Sequence, residues 1–158
     1  MEKTLTPSTK VEVTEMRVAV TVTMNRVDRT RNPQQVLDAT GRRQYTNKAV
    51  VATMPSRGTG VEENVTVEFF PISKNASDDE VARMFEDRGL KDDPYAVSAV
   101  NEADPAFADK YPNGTQWKDA DDNWCYAAFN RNGDERYVYV CRDDYDWQDY
   151  WWLGGVRK

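Results

Sequence analysis

The chain has 158 residues, a length typical of one domain, and its 27 acidic and 21 basic residues give a net charge of −6. The Lys and Arg residues are dispersed, so the sequence lacks the basic patch that is typical of nucleic-acid binding. The chain contains no His, which excludes the commonest general base and the commonest metal ligand.

The N-terminal part of the chain begins with a polar segment. Residues 1–9 are predicted to be disordered, which leaves residues 10–158 as a single domain. Valines then alternate with Thr, and this period of two predicts a long half-buried strand over residues 16–28. The polar segment from Asp28 to Tyr45 is either a loop or one to two turns of helix.

The middle of the chain predicts two strands followed by two helices. The strands are expected over residues 49–54 and 65–72, on either side of a run rich in Pro, Gly and Ser. A capping box, Ser77-Asp-Asp-Glu80, opens a helix over residues 77–88. Asp93-Pro94 opens a second helix over residues 94–103.

The C-terminal third predicts strands again. A turn over residues 111–115 leads to strands over residues 124–129, 136–142 and 151–157, and Asn132-Gly133 is a strong hairpin signal between the first two. The order of the predicted elements, with strands first, two helices next and strands last, predicts the α+β class.

Aromatic residues concentrate in this last third: all five Trp lie at or after position 117, and five of the eight Tyr lie at or after position 126. Side chains of a strand alternate between its faces, so Val138 and Val140 point one way and Tyr137, Tyr139 and Cys141 the other. The strand is either buried on both faces, or it carries the valines in the core and displays the tyrosines as a binding face.

A loop rich in Asp and Tyr follows over residues 143–150. It either continues the binding face or forms a solvated acidic turn, and its carboxylates could also hold a calcium ion. Residues 119–123 offer a similar acidic cluster, but the twelfth position counted from Asp119 is Asn130, so the EF-hand pattern fails. Hairpin-turn chemistry explains this second cluster more simply.

Catalysis finds little support in the sequence. No Ser or Cys can be activated by a His, and there is no Gly-rich phosphate loop or metal-ligand spacing. Carboxylate pairs such as Asp104 and Asp109 are too unspecific to indicate an active site. Cys125 and Cys141 cannot form a structural zinc site and are expected to be reduced, although neighbouring strands could pair them if their Cα atoms came within about 7 Å. We therefore predict no enzyme activity, no cofactor and no metal.

The C-terminal sequence resembles a known family. Gly133-Asp-Glu-Arg136, the alternating valines and the ending Trp147-Gln-Asp-Tyr-Trp-Trp-Leu-Gly-Gly-Val-Arg-Lys158 are similar to the variable region of C-type-lectin-fold proteins diversified by retroelements of archaea, bacteria and viruses. In this family a reverse transcriptase copies a template while randomising its adenines, and the copy overwrites the 3′ end of the gene. The resemblance places the variable region at about residues 130–158.

The genetic code agrees with this resemblance. Changing the adenines of the asparagine codons AAC and AAT reaches Tyr, Asp and Cys. The resemblance therefore implies these variable, ligand-binding positions: Tyr137, Tyr139, Cys141, Asp143, Asp144, Tyr145 and Tyr150. The residues between them have codons that lack adenine or can lack it at the first two positions, and they are expected to form a fixed scaffold: Val138, Val140, Trp147, Trp151 and Trp152, with Gly154 and Gly155 permitting a tight backbone.

The resemblance implies a C-type-lectin-like fold with mixed or antiparallel sheets and two flanking helices. It also implies that the variable residues bind a protein ligand, with Tyr giving large contact area at low entropic cost. Sugar-binding lectins of this fold use calcium through Glu-Pro-Asn or Gln-Pro-Asp and Trp-Asn-Asp. This chain has only Trp147-Gln-Asp149, so calcium and sugar binding are not implied.

Two other functions remain open. The chain could be a small phage or plasmid-encoded interaction or inhibitor protein with a fixed aromatic interface. It could also be a relic of the formylglycine-generating enzymes, which share the lectin-like fold, but the expected Cys pair and metal ligands are absent from the sequence. No apolar run reaches 18 residues and no signal-peptide centre is present, so we expect no membrane insertion and, by default, a cytoplasmic location.

Overall fold

A computed structural model describes residues 7–13, 18–142 and 146–158, and these form eleven strands and five helices. The strands are β1 Pro7–Val13, β2 Val18–Met24, β3 Val27–Asp28, β4 Arg43–Thr46, β5 Val61–Glu62, β6 Val65–Pro71, β7 Leu90–Asp92, β8 Asn113–Lys118, β9 Trp124–Asn132, β10 Glu135–Arg142 and β11 Trp152–Arg157. The helices are α1 Pro33–Ala39, α2 Lys48–Val51, α3 Asp78–Asp87, α4 Pro94–Ala103 and α5 Phe107–Lys110. The α+β class predicted from the sequence is confirmed.

One mixed sheet dominates the described part of the chain. Its strand order is β1-β2-β6-β11-β8-β9-β10-β4, and β7 also pairs with β11. Most neighbours are antiparallel, whereas β11 runs parallel to β8 and β10 runs parallel to β4. The C-terminal strand β11 lies fourth in this order, which confirms the prediction that it lies near the middle of the sheet.

Hydrophobic clusters pack on both faces of the sheet, as alternation along the strands requires. The larger cluster joins sheet residues such as Phe129 and Trp117 to helices α1, α2, α4 and α5. The smaller cluster joins Leu153, Trp147 and Trp151 to α3. We call these the helix face and the α3 face of the sheet.

The two longer helices begin where the sequence predicts. In α3, the N–H of Glu80 donates to Oγ of Ser77 and the N–H of Ser77 donates to Oε1 of Glu80, both at 3.2 Å. In α4, the N–H of Ala96 donates to Oδ1 of Asp93 at 3.0 Å, and Pro94 occupies the first turn. Neither of these helices, nor any other in the described ranges, is long and apolar enough to cross a membrane.

The prediction of a strand over residues 49–54 is wrong, because residues 48–51 form the helix α2. The N–H of Ala49 donates to Oδ1 of Asn47 at 3.0 Å, so Asn47 caps a helical turn. Val50 and Val51 are both buried in the larger cluster. Tertiary packing here outweighs the strand preference of a β-branched pair.

Other boundaries also differ from the predictions. The long strand expected over residues 16–28 is divided into β2 and the short β3, which pairs with β5 in a separate sheet. Residues 7–9, predicted to be disordered, belong to β1, which pairs with β2 along its whole length. The turn predicted over residues 111–115 gives way at Asn113 to β8, a strand inside the sheet.

Two adjacent glycines let β11 lie close to its neighbours. A Cβ atom on Gly154 would lie 2.6 Å from Cε1 of Phe69, and one on Gly155 would lie 2.6 Å from the carbonyl oxygen of Lys91. Real Cβ atoms do not approach other atoms so closely, so larger residues would force the strand away from the sheet.

Candidate ligand-binding surface

Strand β10 divides its side chains between the two faces of the sheet. Val138 and Val140 are fully buried on the helix face. Tyr137, Tyr139 and Cys141 lie on the α3 face, and Tyr139 is 37% exposed. The predicted burial of both valines is confirmed, and so is the placement of Tyr137, Tyr139 and Cys141 on the opposite face.

These three side chains are less exposed than predicted, since Tyr137 and Cys141 are half-buried and almost two thirds of Tyr139 is covered. The reason is β4, which pairs in parallel with β10 and sets Tyr45 opposite Tyr139. The Sγ atom of Cys141 lies 4.0 Å from the carbonyl oxygen of Tyr45. The added strand makes β10 an inner strand and shields part of its outward face.

Three tyrosines form a compact group that we call the tyrosine cluster: Tyr45, Tyr137 and Tyr139. The ring of Tyr139 stacks on Tyr45 at 5.3 Å and meets Tyr137 edge to face at 4.9 Å. The hydroxyl of Tyr45 donates to Oε1 of Glu135 at 2.7 Å, and this hydrogen bond raises the pKa of Tyr45. Burial raises the pKa of Tyr137. Both phenols therefore stay neutral, and Glu135 takes the single O–H proton of Tyr45 in a hydrogen bond.

Trp147 anchors the loop before β11. It exchanges two backbone hydrogen bonds with Ala76, at 2.8 and 2.9 Å. Its Nε1 donates to Oε1 of Gln116 at 3.0 Å, and Nε2 of Gln116 donates to the carbonyl oxygen of Asp78 at 2.8 Å. Its ring lies over Gly114, where a Cβ atom would come within 2.8 Å. Trp147 is thus fixed to the sheet and, through Gln116, to the start of α3.

Further rings extend from Trp147 toward the surface. Tyr126 and Trp151 each meet Trp147 edge to face, at 5.7 and 5.6 Å. Tyr150 lies 5.1 Å from Trp151 and is 51% exposed. Trp152 points to the helix face instead, where it packs against Tyr111 at 4.9 Å and is half-buried.

An opening of about 220 Å³, which we call the aromatic cleft, lies between β9, β10 and this loop. The described residues that line it are Asp78, Tyr126, Ala128, Tyr139, Asp146, Trp147, Gln148 and Trp151. Tyr139 belongs to both the cleft and the tyrosine cluster, and Trp151 joins the cleft to Tyr150. These contacts make one continuous surface on the α3 face.

Only some of the predicted ligand-binding residues can be placed on this surface. It brings Tyr137, Tyr139 and Tyr150 to this surface, whereas Asp143, Asp144 and Tyr145 lie outside the described residues. Sequence reasoning missed Tyr45 and Tyr126. Tyr126 could have been found, because it alternates along β9 with the core residues Ala127 and Phe129.

The acidic cluster at residues 119–123 closes the hairpin between β8 and β9. Oδ1 of Asp119 accepts hydrogen bonds from the N–H groups of Asp121 and Asn123, both at 2.9 Å, and Oδ2 lies 2.7 Å from Nη2 of Arg142. Led by the bond from Asn123, these contacts hold the pKa of Asp119 low. The hairpin-turn interpretation therefore fits this cluster better than a calcium site.

The described residues contain neither a group of metal ligands nor a disulfide bond. Across them, no group of three or more His, Cys, Asp and Glu side chains could hold a metal ion. Cys125 and Cys141 are not joined in a disulfide. Cys125 belongs to the cluster on the helix face, whereas Cys141 lies on the opposite face of the neighbouring strand.

No protein-family model, curated protein or solved structure matches this chain. Its functional interpretation therefore depends on the surface described above. This surface combines exposed aromatic rings with a small cleft on one face of the sheet.

Proposed function

We propose that this chain is a ligand-binding protein that presents the tyrosine cluster and the aromatic cleft to a protein ligand. The observation that carries the proposal is the alternation along β10. Tyr139 is exposed on the α3 face, whereas Val138 and Val140 on either side of it are fully buried. Residues at the surface can therefore change without disturbing the core.

Several features of the surface favour a protein as the ligand. Contiguous exposed aromatic residues are typical of recognition surfaces on soluble proteins. Tyr offers a large, rigid contact area and a hydroxyl at low entropic cost. Tyr45, Tyr137 and Tyr150 add to the surface beyond the residues that line the cleft, so the surface is broader than a small molecule needs.

We further propose that the chain is a C-type-lectin-fold variable protein of a diversity-generating retroelement. The central position of β11 and the two longer helices, α3 and α4, between β6 and β8 support this assignment. So does the division of the C-terminal residues. The described adenine-accessible positions are half-buried or exposed, and most positions expected to be fixed are buried: Val138, Val140, Trp147, Trp151, Gly154 and Gly155.

The second candidate is an interaction or inhibitor protein with a fixed aromatic interface. Tyr45 and Tyr126 favour it, because they belong to the same surface yet lie outside the proposed variable region, Tyr45 by more than eighty residues and Tyr126 by four. In a retroelement-diversified protein they would be the constant part of a surface that is otherwise variable.

Two matched libraries test the binding function. The display library randomises Tyr137, Tyr139 and Tyr150 with the codon set NNC, which is reached from AAC by changing its adenines. The scaffold library randomises Val138, Val140 and Trp151 in the same way. We expect the display library to remain folded and to give binders to unrelated proteins on selection. Failure to select any binder from it, or equal success with the scaffold library, would contradict the proposal.

Genome sequencing separates the two candidates. A retroelement requires a reverse-transcriptase gene near this gene and a second, nearly identical copy of its 3′ end that differs only at adenines. Related strains should then differ at the proposed variable positions and agree at Val138 and Val140. An invariant 3′ end without such a copy indicates the fixed interface instead.

A further inference from the structure

The aromatic cleft is too small for a typical small-molecule ligand. Sites for such ligands usually enclose about 300–1,000 Å³, whereas this cleft measures about 220 Å³. It opens beside the tyrosine cluster, which shares Tyr139 with it. Its size and position suit a single side chain that projects from a larger ligand.

The walls of the cleft consist largely of aromatic rings set at steep angles to one another. The rings of Tyr126 and Trp147 make an angle of 75°, and those of Trp147 and Trp151 make an angle of 82°. Tyr139 lines the cleft from β10, the strand next to the β9 strand that carries Tyr126. Aromatic walls that surround a small volume are the arrangement by which proteins recognise cationic groups, through attraction to the ring faces.

The charges at the cleft also favour a cationic ligand. Asp78 and Asp146 both line it, and none of its described lining residues is Lys or Arg. Asp146 is exposed, so its carboxylate faces solvent at the rim. The whole chain also carries a net charge of −6. An anionic group would therefore be repelled, and a cation would gain from both the carboxylate and the rings.

We propose that the aromatic cleft binds an arginine side chain of the protein ligand, with the guanidinium against the rings and paired with Asp146. Arginine fits better than lysine because its planar cation stacks on aromatic faces and is more weakly hydrated than an ammonium group. This inference rests on the proposed function and names the side chain of the protein ligand that the aromatic cleft recognises.

The test is an NMR titration of the whole chain with N-acetyl-arginine amide, followed at the indole resonances of Trp147 and Trp151. N-acetyl-citrulline amide, which has nearly the same shape but no charge, is the control ligand. We expect saturable shifts with the arginine compound and binding about tenfold weaker with the citrulline compound.

Two neighbouring carboxylates provide matched control variants. Asp146 and Asp149 are both exposed, but only Asp146 lines the cleft. Asp146→Asn should weaken binding of the arginine compound about two- to fivefold. Asp149→Asn, which changes the net charge equally, should leave it nearly unchanged. The unliganded spectra report whether each variant is folded.

Three results would overturn the inference: no saturable shift up to about 50 mM ligand, equal binding of the citrulline compound, or equal weakening by the two Asp variants. Each can be told apart from failure of the proposed function. If the display library gives binders while the arginine compound fails, the inference is wrong and the proposed function stands.

Discussion

Replacing Asp93 by Ala is expected to lower the free energy of unfolding by about 3–5 kcal/mol. Asp93 is 1% exposed, and its two carboxylate oxygens accept hydrogen bonds from Nη1 and Nη2 of Arg29 at 2.6 and 2.8 Å. Arg29 is itself buried. The substitution leaves its charge in the interior with only Glu62 and the carbonyl oxygen of Ser56 as partners, and it also removes the cap of α4.

Arg29 cannot relieve this loss by giving up its proton. Burial lowers the pKa of its guanidinium, but the hydrogen bonds and charges of Asp93 and Glu62 outweigh that effect, so in the intact protein the pKa is raised. Without Asp93 the guanidinium still stays protonated, because arginine does not lose its proton in proteins, so the Asp93→Ala variant holds a buried charge that has lost its main partner.

The adjacent carboxylate provides the control. Asp92 pairs with Arg57 at 2.6 Å near the surface, where the two side chains are 24% and 37% exposed. Asp92→Ala should lower the free energy of unfolding by only about 0–1 kcal/mol. Urea denaturation of both variants is the measurement, and equal losses would show that burial of the Arg29 pair does not determine stability.

Replacing Trp147 by Ala is expected to lower the free energy of unfolding by about 3–5 kcal/mol as well. The indole is 6% exposed, and it fills the space above Gly114 between Tyr126 and Trp151. Its loss opens a cavity and deprives Oε1 of Gln116 of its hydrogen-bond donor.

Trp124 is the matched aromatic control, because it is half-buried and donates from Nε1 to Asp79 at 3.1 Å on the surface. Trp124→Ala should lower the free energy of unfolding by about 1 kcal/mol. The Trp147 variant should also lose binding of proteins selected with the display library, since the loop that forms one wall of the cleft is no longer fixed. Retained stability and binding in this variant would contradict the anchoring role.

Local signals made part of the fold predictable. The capping box at Ser77 and the Asp93-Pro94 start gave α3 and α4, because a cap satisfies backbone groups within a few residues of itself. The alternation of Tyr and Val gave the faces of β10, because the period of a strand is independent of its partners.

Other elements depend on partners far away in sequence. Strand β8 looks like a turn because it begins with Asn113 and Gly114, yet it lies inside the sheet. Nδ2 of Asn101 in α4 donates to Oδ1 of Asn113 at 2.9 Å, and Nδ2 of Asn113 donates back to Oδ1 of Asn101 at 3.1 Å. This pairing satisfies polar groups that the sequence alone would place in solvent.

In the candidate site, too, some residues follow from local sequence patterns and others depend on partners far away in sequence. Its C-terminal tyrosines follow from periodicity, but Tyr45 comes from a polar segment with no clear pattern. Only the parallel pairing of β4 with β10 brings it against Tyr139. The aromatic cleft also needs α3 and the Trp147 loop, which meet through long-range contacts with Gln116.

The central claim is that residues at the surface of β10 are free to change whereas the residues between them carry the fold. Urea unfolding of Tyr139→Ala beside Val140→Ala tests it most directly. Although the first substitution removes far more atoms, it should lower the free energy of unfolding by no more than about 1 kcal/mol. The second should lower it by about 2 kcal/mol, since Val140 is fully buried. A larger loss for Tyr139 than for Val140 would contradict the claim.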